Sequence, residues 1–135
     1  MILPSEPVWL SAEDAEAIVG ALAELYPDHR VQVVRPHSLG GALERACNRY
    51  HYNSERNLFR LAADYVYSLG KAHALVDGNK RLAFMSALVF LELNGFRLNE
   101  PEDQFFAVFV KALMADRINV EMLAMVFQST SERLS

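Results

Sequence analysis

The 135-residue sequence holds one cysteine, one tryptophan, six glycines and five prolines. A lone thiol, Cys47, cannot close an internal disulfide and cannot supply a four-ligand zinc site, so the chain reads as one from a reducing compartment. Neither a repeat nor a low-complexity segment is visible. Long apolar runs are also missing. Leu82–Leu91 is bracketed by Arg81 and Glu92 and falls far short of the ~20 residues that span a bilayer. The first ten residues, MILPSEPVWL, contain no Lys or Arg and two prolines, which makes a poor secretory signal. A soluble, cytoplasmic protein without a membrane partner is the expectation. Basic charge is not in excess either: 13 Lys and Arg stand against 17 Asp and Glu, a net −4. That balance argues against direct nucleic-acid binding as the main activity.

What is present is ordinary globular composition, 52% hydrophobic and 22% charged, at a length that suits one domain over residues 1–135. Ser11, with Glu13 and Asp14 behind it, reads as a helix start. Ile18, Leu22 and Leu25 give that helix an apolar stripe, and Pro27 ends it. Val31, Val33 and Val34 lie in a stretch, Asp28–Pro36, that has no obvious strand partner and reads as loop. A second helix is expected over Ser38–Arg49, with Leu43 and Ala46 facing inward. After Asn53-Ser54, a stronger one carries Leu58, Leu61, Ala62, Tyr65, Val66 and Leu69, with Gly70 as its terminator. From Leu82 the chain reads LAFMSALVFLELNG. A helix apolar on all sides is a buried one, so this run is the expected spine of the fold. Asn99 and Pro101 open a further helix with Phe105, Phe106, Phe109, Val110 and Leu113 as its core face. Asn119 caps a last one that ends near Phe127. Strand alternation is almost absent. The expected fold is all-α, a compact bundle of about six helices around a buried central helix.

His73-Ala-Leu-Val-Asp77-Gly78-Asn79-Lys80-Arg81 gathers a base, a carboxylate, a glycine, an amide and two cations just before a buried helix. A helix N-terminus offers free N–H groups and partial positive charge, which suits phosphate oxygens. Gly78 lets the backbone turn sharply and approach a ligand. Lys80 and Arg81 add positive charge at the end of a helix that ordinarily prefers acids, a local conflict that a functional anion site explains. Asp77 suits a Mg²⁺ whose other ligands are waters and phosphates, and equally suits an N-cap for the helix. Histidine is the side chain that exchanges a proton near neutral pH, which makes His73 the candidate base.

This segment resembles the active-site motif of the Fic/Doc superfamily. Fic proteins carry H-P-F-x-[DE]-G-N-G-R-x-x-R and Doc ("death on curing") toxins H-x-F-x-D-[AG]-N-K-R. Lys80 stands at the second motif glycine of Fic, and Phe84 at its trailing arginine, so the Doc branch is the better match. The resemblance implies a toxin of a bacterial toxin–antitoxin pair that uses ATP and Mg²⁺ to phosphorylate a threonine of elongation factor Tu and is silenced by a Phd-like antitoxin. Carried onto this chain, it implies His73 as base, Asp77 as the Mg²⁺ ligand, and Gly78, Asn79, Lys80 and Arg81 around the phosphates. Lys80 also counts as catalytic, because it implies a nucleotide oriented with its γ-phosphate toward His73.

The match is not complete. The usual motif phenylalanine is Leu75, and the Thr common after Lys-Arg is Leu82. Some Fic proteins restrain themselves with a helix of pattern [ST]-x-x-x-E-[GN]; this chain has no such segment, which points to restraint by another protein. Two rival readings remain beside the kinase: Fic-type AMP transfer, and a catalytically weak module that binds its antitoxin in operon repression. His29, His37 and His51 read as structural or merely exposed. Lys71 reads as a helix C-terminal cation, and Trp9, Tyr50 and Tyr52 as part of a partner surface.

Overall fold

Ser11 opens the first helix, α1 (Ala12–Leu25), with a reciprocal cap. Its hydroxyl accepts from the Asp14 N–H (3.1 Å) while the Asp14 carboxylate accepts from the Ser11 N–H (2.9 Å). Asn57 and Asn119 cap two later helices through their side-chain oxygens. The computed structural model describes residues 5–135; of the first ten residues considered above, residues 1–4 lie outside them. The remaining helices are α2 (Pro36–Asn53), α3 (Leu58–Ala72), α4 (Asn79–Leu93), α5 (Phe105–Met114) and α6 (Val120–Thr130). Two three-residue strands, β1 (Phe96–Leu98) and β2 (Ser131–Arg133), pair antiparallel with Phe96 opposite Arg133. The fold is thus the expected helical bundle with one small sheet added. No helix among the described residues is long and apolar enough to cross a membrane.

The central helix is α3, not α4. Leu58, Leu61, Ala62, Tyr65, Val66 and Leu69 are all fully buried, and α3 packs against α2, α4, α5 and α6. Helix α4 buries one face (Leu82, Ala83, Ser86, Ala87, Phe90, Leu91) and leaves Met85 and Leu93 exposed. Its remaining apolar side chains include Phe84, which lines a cleft. An all-apolar helix is therefore not always the innermost one.

Several boundaries differ from the sequence reading. Gly70 does not end α3. The helix runs on to Ala72, and His73 takes the left-handed C-cap position (φ 49°, ψ 42°). Gly70 instead gives room to α5, because the Met114 thioether sulfur occupies the place of a Cβ. Helix α5 starts at Phe105 rather than near Pro101. The Asn99 N–H donates to the Thr130 carbonyl (2.8 Å), continuing the β1–β2 pairing, and Glu100 Oε2 then caps α5 by accepting from the Phe106 N–H (3.0 Å). Leu25 of the α1 stripe is 69% exposed, while Ile18 and Leu22 are buried and Tyr26 packs on the core. Trp9 is partly buried against the core. It stacks on Phe90 (5.8 Å) and meets Tyr50 edge-on (5.6 Å), whereas Tyr52 is exposed.

Asp64 of α3 is buried between two arginines. Arg49 Nε lies 3.0 Å from Oδ2 and Arg60 Nε 3.8 Å from Oδ1, yet neither pair meets hydrogen-bond geometry. Arg60 also reaches Glu121 of α6 (2.7 Å), so the cluster links α2, α3 and α6. Burial pushes the Asp64 carboxyl up to about 6, against the pull of Arg49 and Arg60. Poorly aligned attraction does not offset desolvation here. An unfolded Asp titrates near ~3.9, so over this window the folded state holds the proton more tightly. The resulting stability is full below about pH 4 and is lost as pH rises through about 6. Asp64→Asn removes this slope. Urea unfolding at pH 4 to 7 is expected to show wild type losing on the order of 2–3 kcal/mol relative to Asp64→Asn across that range; a flat difference would contradict it.

Candidate active-site cleft

The stretch expected to be a partnerless loop has a partner, and it is the motif itself. Val33 forms an antiparallel bridge with Leu75. Around it, Val34 N–H donates to the Ala74 carbonyl (2.8 Å), Val76 N–H to Gln32 (3.0 Å) and Asp77 N–H to Arg30 (3.0 Å). In such a pair the bridged residue's own N–H and C=O point away from the partner strand. Asn79 receives both. Its Oδ1 accepts from the Leu75 N–H (3.0 Å) and its Nδ2 donates to the Leu75 carbonyl (3.0 Å). The Leu75 side chain is buried, so an aliphatic residue fills the place expected for phenylalanine and anchors the loop in the core.

The loop then turns into α4 through Gly78, which sits at φ 92°. Among the described residues no side chain caps the N-cap position of α4, Gly78. Asp77, a capping candidate from sequence, instead accepts the Arg30 N–H on Oδ2 (3.0 Å), and Oδ1 makes no hydrogen bond among the described residues. Helical geometry leaves the N–H groups of Asn79, Lys80 and Arg81 without an intrahelical acceptor. Arg35, for which the sequence offers no signal, donates from Nη1 to the His73 carbonyl (2.7 Å). This contact holds the backbone of the left-handed C-cap while the His73 side chain stays exposed.

All six motif residues singled out from sequence, His73, Asp77, Gly78, Asn79, Lys80 and Arg81, line one cleft of about 900 Å³. Further walls come from Tyr26, Phe84, the turn Glu100–Gln104 and α5 residues including Phe106 and Lys111. Lys80 and Arg81 are exposed, and among the described residues neither carries an ion pair; the Arg81 guanidinium lies over the Tyr26 ring at 3.9 Å. Lys71 also borders the cleft, but it caps another helix. Its Nζ donates to the Met114 carbonyl at the end of α5 (2.9 Å) and pairs with Asp116 (3.2 Å). Two cations without an ion pair among the described residues thus stand at the N-terminus of α4, where free N–H groups and the helix dipole favour negative charge. The Asn79 side chain, expected on a phosphate, is engaged with Leu75, which leaves its backbone N–H rather than its amide for a ligand.

Comparison with known proteins bears on the same region. The model of the Fic/DOC family matches residues 9–91, more than half of the chain. The chain is 45% identical over 49 residues to "Toxin Doc" of Mycolicibacterium smegmatis, covering 36% of this chain and 38% of that protein. It is 38% identical over 55 residues to "Protein kinase doc" of Escherichia phage P1, covering 40% of this chain and 44% of that protein. The matched stretch thus spans less than half the length of either curated relative.

The loop geometry sets two distinct costs. Asn79→Ala leaves the Leu75 N–H and C=O without partners and is expected to destabilise by about 1–3 kcal/mol. In Gly78→Ala the new Cβ meets Val31 and Leu75 only at ordinary contact distances (3.6 and 3.9 Å). Its cost is backbone strain alone, about 1–2 kcal/mol. Urea unfolding checks both; an Asn79→Ala variant as stable as wild type would contradict the loop-closing role.

Proposed function

The chain belongs to the Fic/DOC family, and on that premise we propose that it is a Doc-type toxin that uses ATP to phosphorylate a hydroxyl on a translation factor. A threonine of elongation factor Tu is the proposed acceptor, and arrest of protein synthesis the outcome. The observation that carries this reading is the single cleft in which His73, Asp77 and the N-terminus of α4 meet, with Lys80 where Fic relatives have glycine. The relatives named "Toxin Doc" and "Protein kinase doc" support the toxin and the kinase halves of it.

In this mechanism His73 takes the proton of the target hydroxyl. The hydroxyl oxygen bonds to the γ-phosphorus, the bond from that phosphorus to the β–γ bridging oxygen breaks, and ADP leaves. The N–H groups of Asn79, Lys80 and Arg81, with the Lys80 and Arg81 side chains, hold phosphate oxygens and neutralise their charge. Such transfer needs mainly positioning and electrostatic stabilisation, which this residue set can provide. Asp77 fits a magnesium ion, because its carboxylate is exposed on the cleft with one oxygen fixed by Arg30 N–H. That ion typically takes one or two protein carboxylates and completes its shell with water and phosphate. Bound there, Mg²⁺ would offset negative charge on the phosphates. Restraint is assigned to a Phd-like antitoxin segment covering the cleft, where Val76 leaves apolar surface exposed.

Mass spectrometry of purified elongation factor Tu, after incubation with the chain, ATP and Mg²⁺, tests the reading. The expected result is a threonine gain of one phosphate. His73→Ala is expected to slow the reaction by about 10²–10⁴-fold and to abolish growth arrest when the chain is expressed alone. A gain of AMP would move the chain to the Fic reaction. Growth arrest unchanged in His73→Ala would rule out the catalytic assignment.

A further inference from the structure

A second group of ligand-type side chains converges elsewhere, from two separate segments. Cys47 and His51 lie four residues apart on α2, so they share a face. Glu6, in the segment before α1, reaches the same place. Its Oε2 lies 3.3 Å from His51 Nε2, and one donor atom from each of the three residues falls within 4.8 Å of the others. We propose that Glu6, Cys47 and His51 bind one zinc-class divalent ion, with water as the fourth ligand.

The third donor, the Cys47 thiol, favours this over a plain ion pair. Tetrahedral zinc holds N and O at about 2.0–2.2 Å and S at about 2.3 Å, which sets neighbouring ligand atoms roughly 3.3–3.8 Å apart. The Glu6–His51 separation already has this value. A histidine–carboxylate pair accounts for these two residues but gives no reason for the only thiol of the chain to complete the triangle. The donor set is also selective: thiolate and imidazole favour zinc-like ions, whereas magnesium and calcium prefer all-oxygen shells.

The surroundings hold the ligands in place. Trp9 Nε1 donates to Glu6 Oε2 (2.7 Å), an outer contact that orients the carboxylate. Trp9 itself is held against Phe90 and Tyr50, and Val8 exchanges two hydrogen bonds with Asn94 (2.8 and 2.9 Å). The segment bearing Glu6 is therefore already docked. The Glu6 and His51 side chains are about half exposed (48% and 46%), so an ion can enter. Binding displaces the Cys47 thiol proton to solvent and ties the start of the chain to α2. None of the three residues lines the active-site cleft, so this site stands independently of the proposed phosphoryl transfer.

Cobalt(II), a spectroscopic substitute for zinc, tests the site in the full chain. One equivalent is expected to give thiolate-to-cobalt charge-transfer absorption that zinc bleaches. Cys47→Ser is expected to lose that absorption, and His51→Ala and Glu6→Gln to weaken binding by about tenfold or more. Zinc should raise the melting temperature of wild type, reversibly with a chelator, and leave Cys47→Ser unmoved. Far-UV circular dichroism checks that each variant folds; should Cys47→Ser not fold, the exposed His51→Ala decides. Absence of the charge-transfer band in wild type, or cobalt affinity unchanged in His51→Ala, would overturn the proposal.

Discussion

The backbone of Leu75 is held on both edges, and the geometry of the cleft depends on it. On one side the Arg30–Val34 segment pairs with the loop from Ala74 to Asp77; on the other, Asn79 takes the Leu75 N–H and C=O. With the Leu75 side chain in the core, the loop has little freedom left. This fixes Asp77 at the head of α4 and leaves His73 two residues upstream of the anchor, its own carbonyl held by Arg35. The side chains proposed to do chemistry stay exposed while the backbone beneath them is locked, the arrangement that positioning of reactants requires.

Behind the loop, α3 supplies the frame. It ends at His73 and packs on α4, which begins at the opposite end of the same loop. The proposed base and the helix terminus proposed to hold phosphate are therefore carried by two packed helices joined by a braced turn. Electrostatics complete the site. Lys71 is neutralised by the end of α5 and by Asp116, whereas Lys80 and Arg81 meet no acid among the described residues. Positive charge at an uncapped N-terminus lowers the stability of the empty helix and raises its affinity for an anion.

Local chemistry was readable in the sequence, and long-range partnership was not. Ser11 and Asn119 cap helices as their spacing implies, and the α3 core face emerges residue by residue from the periodicity at Leu58–Leu69. The six residues singled out in the nine-residue motif, His73, Asp77, Gly78, Asn79, Lys80 and Arg81, line one cleft, as composition at a helix start suggests. The Val33–Leu75 bridge has no signal in the sequence because the partner of Val33 lies in a nonperiodic loop far along the chain. The β1–β2 sheet is equally remote in sequence, and its pairing also delays α5 to Phe105. Asn79 shows the same limit at one residue. Its type fits phosphate or backbone equally well, and only the fold reveals that Leu75 occupies it. His51 shows no role in isolation because Glu6 reaches it and Cys47 only once the first segment docks.

Label transfer from ATP tests the central claim whichever protein is the target. A cell lysate incubated with the chain and Mg²⁺ would receive ATP labelled at the γ-phosphate in one sample and at the α-phosphate in another. The account predicts that γ-label enters protein and α-label does not. Entry of α-label, or γ-label entry undiminished by His73→Ala, would contradict it.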